Sequence, residues 1–118
     1  MSELNTFINA YFEAIYFTEL GDMEQPPNHA VLEASSEAEQ VQDAKEFYEK
    51  HNHLFNDHVV QAGHDFWFTR QGHGVGFWES PELYGQDAME QLEDAAEDVG
   101  PVYELIWEVD GEIFEGDL

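Results

Sequence analysis

Twenty-seven Asp and Glu residues stand against only Lys45, Lys50 and Arg70, a formal net charge of -24 in 118 residues. Any fold this chain adopts must keep nearly all of those carboxylates in water, and their mutual repulsion is a standing cost to the compact state. A net charge of about 2–8 already keeps a small domain soluble. The excess therefore points to a use. It also excludes a class of functions, because affinity for DNA, RNA or an anionic membrane comes from Lys and Arg neutralising phosphates.

Acidic tails that stay disordered lack large apolar side chains. This chain has nine Phe, five Tyr and three Trp, enough for a core. Its length fits one domain over residues 1–118. With no cysteine, disulfides, thiol nucleophiles and cysteine-based zinc sites are all ruled out. Met1-Ser2-Glu3 opens without a basic segment, and no apolar run approaches the roughly 20 residues of a membrane span. The expectation is a cytoplasmic protein, in its own cell or in a host's, with no membrane contact.

Leu4, Phe7, Ile8, Tyr11, Phe12, Ile15 and Tyr16 recur at helical spacing, with Ser2 as cap and Gly21 as stop. Residues 21–34 read as a loop with one helical turn near Val31 and Leu32. Ser36-Glu37-Ala38-Glu39 fits a capping box that opens a second helix. Its expected inner face is Val41, Ala44, Tyr48, His51 and Phe55, flanked by Phe47 and Leu54, and both lysines read as local helix support. His64 to Arg70 and His73 to Trp78, joined at Gln71-Gly72, predict a β-hairpin with Phe66, Phe68, Val75 and Phe77 on one face. Trp67 and Trp78 then share the other face, either as core or as an exposed anchor. A third helix follows over 86–99, with Ala88, Met89, Leu92, Ala95, Ala96 and Val99 inward. Tyr103, Leu105, Trp107 and Val109 alternate as a strand, Asp110-Gly111 is a turn, and Glu112-Ile113-Phe114 a short last strand. The expected class is α+β: an antiparallel sheet of three to four strands with three helices packed on it.

The segment Ala62-Gly63-His64-Asp65-Phe66-Trp67-Phe68-Thr69-Arg70-Gln71-Gly72-His73-Gly74-Val75-Gly76-Phe77-Trp78 resembles the central stretch of a family of small acidic bacteriophage and prophage proteins. The resemblance extends more weakly to Asn5–Tyr16 and to the Asp110-Gly111 end. Phe68 and Gln71 stand where Leu and Asn are more usual. The family has no established activity, so the resemblance implies a phage setting and little chemistry. Small polyanionic phage proteins include mimics of DNA, an analogy of composition rather than of descent.

Residues 71–118 hold fourteen Asp and Glu and no Lys or Arg. On the third helix Asp87, Glu90, Asp94 and Glu97 fall at i, i+3, i+7 and i+10, a like-charged ridge with Glu93 and Asp98 beside it. Neighbours on such a ridge lie about 5–6 Å apart, near the spacing of phosphates along a strand. Glu104 and Glu108 are expected to prolong it. The expected partner is a basic nucleic-acid-binding host protein whose groove accepts the row as it accepts DNA. The protein itself is expected to be a monomer or homodimer.

Two other readings stand beside this one. Acidity of this kind also arises in salt-adapted domains, where charge runs are only solvated faces. A small metal- or anion-dependent enzyme would draw on His64, Asp65, Arg70 and His73. In the hairpin register His64 and His73 are roughly 20 Å apart, too far to share a metal. Arg70 is expected to form an internal bidentate pair among the carboxylates. His51 and His53 point to opposite sides of a helix, and Gly72-His73-Gly74-Val75-Gly76 lacks the Lys-Ser/Thr of a phosphate loop. The sequence therefore favours binding over catalysis, with no metal or cofactor.

Overall fold

The computed structural model describes residues 2–20, 30–72 and 74–117. Helix α1 runs Glu3–Leu20, followed by the two-residue strand β1 at Val31–Leu32 and helix α2 at Ala34–His51. After a 3-10 turn, α3 spans Val59–Gln71; a second such turn leads to the short α4 at Pro81–Tyr84 and to α5 at Gln86–Val99. Strands β2, Glu104–Val109, and β3, Glu112–Asp117, close the chain. The class is α+β, with a three-stranded antiparallel sheet in the order β1-β2-β3. No helix among the described residues is long and apolar enough to cross a membrane.

The largest departure from the sequence expectation is the segment read as a hairpin. Residues 59–71 are helical, and Gln71-Gly72 is the end of a helix instead of a strand turn. Gly72 takes the left-handed conformation (φ 65°) and its N–H bonds back to the carbonyls of Phe68 and Thr69, the geometry that favours glycine at a helix end. The β-propensity of Phe66-Trp67-Phe68-Thr69 is overridden by packing. Ala62, Gly63, Phe66, Trp67 and Arg70 form one buried helical stripe against α1. Trp67 is wholly buried and its indole N–H donates to Thr18 Oγ1 at 2.8 Å, whereas Trp78 is 49% exposed. His73 lies outside the described residues.

Gly63 sets how closely α1 and α3 approach. A Cβ built there would stand 2.7 Å from both Ala10 Cβ and the Phe7 carbonyl oxygen. Gly63→Ala should gain up to about 1 kcal/mol of helix propensity and lose about 1–3 kcal/mol to overpacking. The expected net is a destabilisation of up to about 2 kcal/mol, read by urea denaturation. Adding Ala10→Gly should restore only part of it, because the backbone oxygen of Phe7 stays in place. Full restoration would show that the backbone contact is harmless.

Between these helices lies an aromatic cluster. Phe47 of α2 stacks on Phe66 at 4.1 Å between centroids, and Phe7 stacks on Phe55 at 5.2 Å. The buried line of α2 is Ser36, Gln40, Ala44 and Phe47; Tyr48 and His51, expected inside, are half-buried. The shift has a cause at the helix start. Ser36 does not cap the helix: Glu33 does, accepting from the Ser35 N–H at 3.0 Å, and Ser36 Oγ accepts from the Ile106 N–H instead. Val31 and Leu32, expected as a helical turn, pair with Glu108 and Trp107. Helix α5 and strand β2 lie where the periodicity placed them. Val99 and Tyr103, however, are exposed. Strand β3 runs to Asp117, beyond the expected Phe114. Asp110 (φ 51°) and Gly111 (φ 83°) make the two-residue turn, both left-handed as such hairpin turns require.

Candidate interaction surface

Helix α5 forms because its apolar residues fall on one face. Met89, Leu92 and Ala96 are buried against α3, α4 and the turn at Phe77–Glu79, with Ala88 and Ala95 half-buried beside them. Asp87, Glu90, Asp94 and Glu97 are all exposed on the far side. At about 1.5 Å of rise per residue the row is roughly 15 Å long. Asp98 is exposed as well, while Glu93 sits at the boundary between the two faces, half-buried.

That position has an electrostatic signature. Burial pushes the Glu93 carboxyl above its usual range, and the neighbouring Glu97, Asp94 and Glu90 push in the same direction. Nothing on the helix relieves the row. Asp87 in the first turn is favourable to the helix dipole, but the last turn has no basic residue. Glu97 and Asp98 there oppose the dipole.

Glu104 is exposed and Glu108 half-buried on β2. Expected to extend the α5 row, they sit on a different element: β2 packs against α2, which α5 also touches, and Trp107 meets Tyr16 of α1 edge-on at 5.3 Å. Gly100 to Tyr103 connect α5 to β2. Alongside α5, a cleft of about 520 Å³ opens toward α2, lined by Asp43, Glu46, Lys50, His51 and Asp98 among others.

The residues of the enzyme reading are engaged within the fold. Arg70 is 7% exposed. Its Nε donates to the Gly100 carbonyl at 2.8 Å, and one terminal nitrogen donates to Tyr11 Oη at 2.7 Å and lies 3.1 Å from Asp43 Oδ2. The expected pair is internal, but in place of the bidentate geometry the contact to Asp43 runs through one guanidinium nitrogen while Nε is taken by Gly100. Tyr11 in turn donates to Gln40 Oε1 at 2.5 Å, and its hydroxyl is pushed well above its usual pKa by burial. Asp65 accepts from the Tyr84 hydroxyl at 2.8 Å and from the Gln61 amide at 2.9 Å. Burial raises its carboxyl above the ordinary range, and these hydrogen bonds offset part of that shift. His64 Nε2 lies 3.4 Å from Glu13 Oε1. The separation expected between His64 and His73 rested on the hairpin and lapses with it. Among the described residues, no group of three His, Asp or Glu side chains is placed to hold a metal.

Sequence reasoning missed Gln71. Its amide pairs with both backbone groups of Val102, accepting from the N–H at 2.6 Å and donating to the C=O at 2.8 Å. Together with Arg70 on Gly100, it pins the connection between α5 and β2. A glutamine at a helix end carries no sequence signal for this. No protein-family profile, no characterised protein and no solved structure matches the chain.

Proposed function

We propose that this protein acts by binding and not by catalysis: the carboxylate row of α5 occupies the nucleic-acid groove of a basic host protein, in the manner of a DNA mimic. The observation that carries the reading is Asp87, Glu90, Asp94 and Glu97 exposed along one helix that has no basic residue of its own. The opposite face of that helix is buried, so the row is held on a rigid support. Helix α2 differs, because its acids are interspersed with Lys45 and Lys50. Steric and electrostatic competition is the mechanism, and a phage protein acting in a host cytoplasm is the setting the sequence resemblance suggests.

The test is capture from host lysate on the immobilised protein, followed by elution with rising salt and with duplex DNA. A basic protein should be captured and then released by both. The fourfold variant Asp87→Asn, Glu90→Gln, Asp94→Asn, Glu97→Gln should lose it, with the slope of log K against log salt flatter by about 3–4 units. Unchanged capture by the folded variant would refute the α5 reading.

Salt adaptation is the second reading, favoured by the exposed acids Glu3, Glu37, Glu39 and Glu49 on α1 and α2. It expects the fourfold variant to change stability in salt and no partner to be captured.

A further inference from the structure

Strand β3 lies at one edge of the sheet, with no further strand beside it among the described residues, and the backbone groups it presents there follow from β2. The Ile106 N–H donates to Ser36 Oγ and its C=O accepts from the Glu33 N–H, both at 2.9 Å. Ile106 therefore directs its backbone away from β3, and by the alternation of an antiparallel ladder so do Glu104 and Glu108. It is Leu105, Trp107 and Val109 that exchange hydrogen bonds with Gly116, Phe114 and Glu112. The N–H and C=O groups of Ile113 and Glu115 consequently point outward from the edge. Their side chains are exposed, Ile113 at 56%, on the face shared with Glu104, Ile106, Glu108 and Val31.

We infer that this edge receives an extended cationic segment of a protein partner, which adds to β3 as a fourth strand. Main-chain hydrogen bonds to Ile113 and Glu115 supply binding that tolerates many sequences, and alternate side chains supply the choice. Lys or Arg on one face of the incoming strand meets Glu115 and, across β3, Glu104 and Glu108, and the methylene stem of one of them covers Ile113. A second copy of this chain is disfavoured. Pairing β3 with itself brings the Glu112 and Glu115 of two molecules together, each molecule carrying a net charge of -24. Charged side chains on an edge keep like strands apart, and the same charges leave it open to a strand of opposite sign. The inference does not rest on the α5 row, because Ile113 and Glu115 lie on β3, a different element that pairs with β2.

The experiment titrates the ¹⁵N-labelled full chain with a short capped peptide alternating Arg and Val. A second peptide of equal charge is N-methylated at the backbone nitrogen of each Arg, the positions opposite Ile113 and Glu115, and has no N–H left there to donate along the edge. With the first peptide the Ile113 and Glu115 amides should shift and exchange with solvent about tenfold more slowly. The second should leave their exchange unchanged. Glu115→Pro removes an outward N–H without touching a β2 hydrogen bond, so the sheet should persist and the first peptide should bind about tenfold more weakly. Equal responses to the two peptides, or shifts concentrated on α5, would overturn the inference, and the peptide pair decides this on the unmodified chain even if Glu115→Pro fails to fold. Protection of the same amides that grows with protein concentration alone would overturn it in favour of a second copy. The fourfold α5 variant should keep the edge response, so failure here and failure of the α5 reading are separable.

Discussion

Arg70→Met should lower stability by about 2–4 kcal/mol, less than the 3–5 of a wholly buried pair because the Asp43 side chain is 36% exposed. For a chain of this size the Tm should fall by roughly 10–20 °C. Arg70 touches α1 through Tyr11, α2 through Asp43 and the end of α5 through Gly100. Its guanidinium also lies over the Phe66 ring, 5.4 Å from the centroid. Methionine fills much of the volume but leaves the partly buried Gly100 carbonyl without its donor, and the loss of that partner is costly. Asp43→Asn should cost much less, about 1 kcal/mol, because Arg70 keeps Tyr11, Gln40 and Gly100. Thermal melts of the two variants check the ordering. Equal losses would mean that the ion pair, and not the tether to Gly100, is what Arg70 contributes.

Acid and salt should both stabilise this protein, against the usual trend for acid. Glu93 and Asp65 have carboxyls raised above their unfolded range, each first by burial. A raised carboxyl binds its proton more tightly in the folded state, so stability increases as pH falls through the folded pKa toward the unfolded one. Glu33, lowered by its hydrogen bonds to Ser35, acts in the opposite sense. Its contribution is lost as pH falls through its folded pKa, below the window of the other two. The Tm should therefore rise between neutral pH and the upper edge of the carboxylate range, then fall on further acidification. Like-charged neighbours on α5 are Asp87–Glu90, Glu90–Glu93, Glu90–Asp94, Glu93–Glu97, Asp94–Glu97 and Asp94–Asp98. At about 0.2–0.5 kcal/mol each they cost about 1–3 kcal/mol together. Molar KCl shortens the screening length to about 3 Å, inside their spacing. The Tm should rise by roughly 5–10 °C from 0.05 to 1 M KCl, and less in the fourfold α5 variant. A flat salt profile would show that the ridge is not repulsive.

What was legible in the sequence was whatever follows from local periodicity. Helix α1, helix α5, strand β2 and the Asp110–Gly111 turn repeat one pattern over many residues, and in each case the apolar side chains alone define the buried face. The acid row of α5 was legible for the same reason, as a helical pattern in charge. The placement of Glu104 and Glu108 was not, because sequence adjacency does not say that β2 packs on α2.

Helix α3 shows the opposite case. Its buried stripe includes Gly63, Asp65 and Arg70, residues that a hydrophobic pattern scores as breaks, while Phe66-Trp67-Phe68-Thr69 carries the local marks of a strand. Only the close approach to Ala10 and Phe7, and the partners waiting for Arg70 and Asp65 on other elements, make the helix the lower-energy choice. Strand β1 is similar, since two residues are strand only because Trp107 and Glu108 lie alongside them. The sequence alone thus determined the charge, the need for a core and the elements whose pattern is self-sufficient. Tertiary structure decided α3, the fate of the polar side chains buried with it, and which backbone edge of the sheet stays open, because each depends on contacts between residues far apart in the chain.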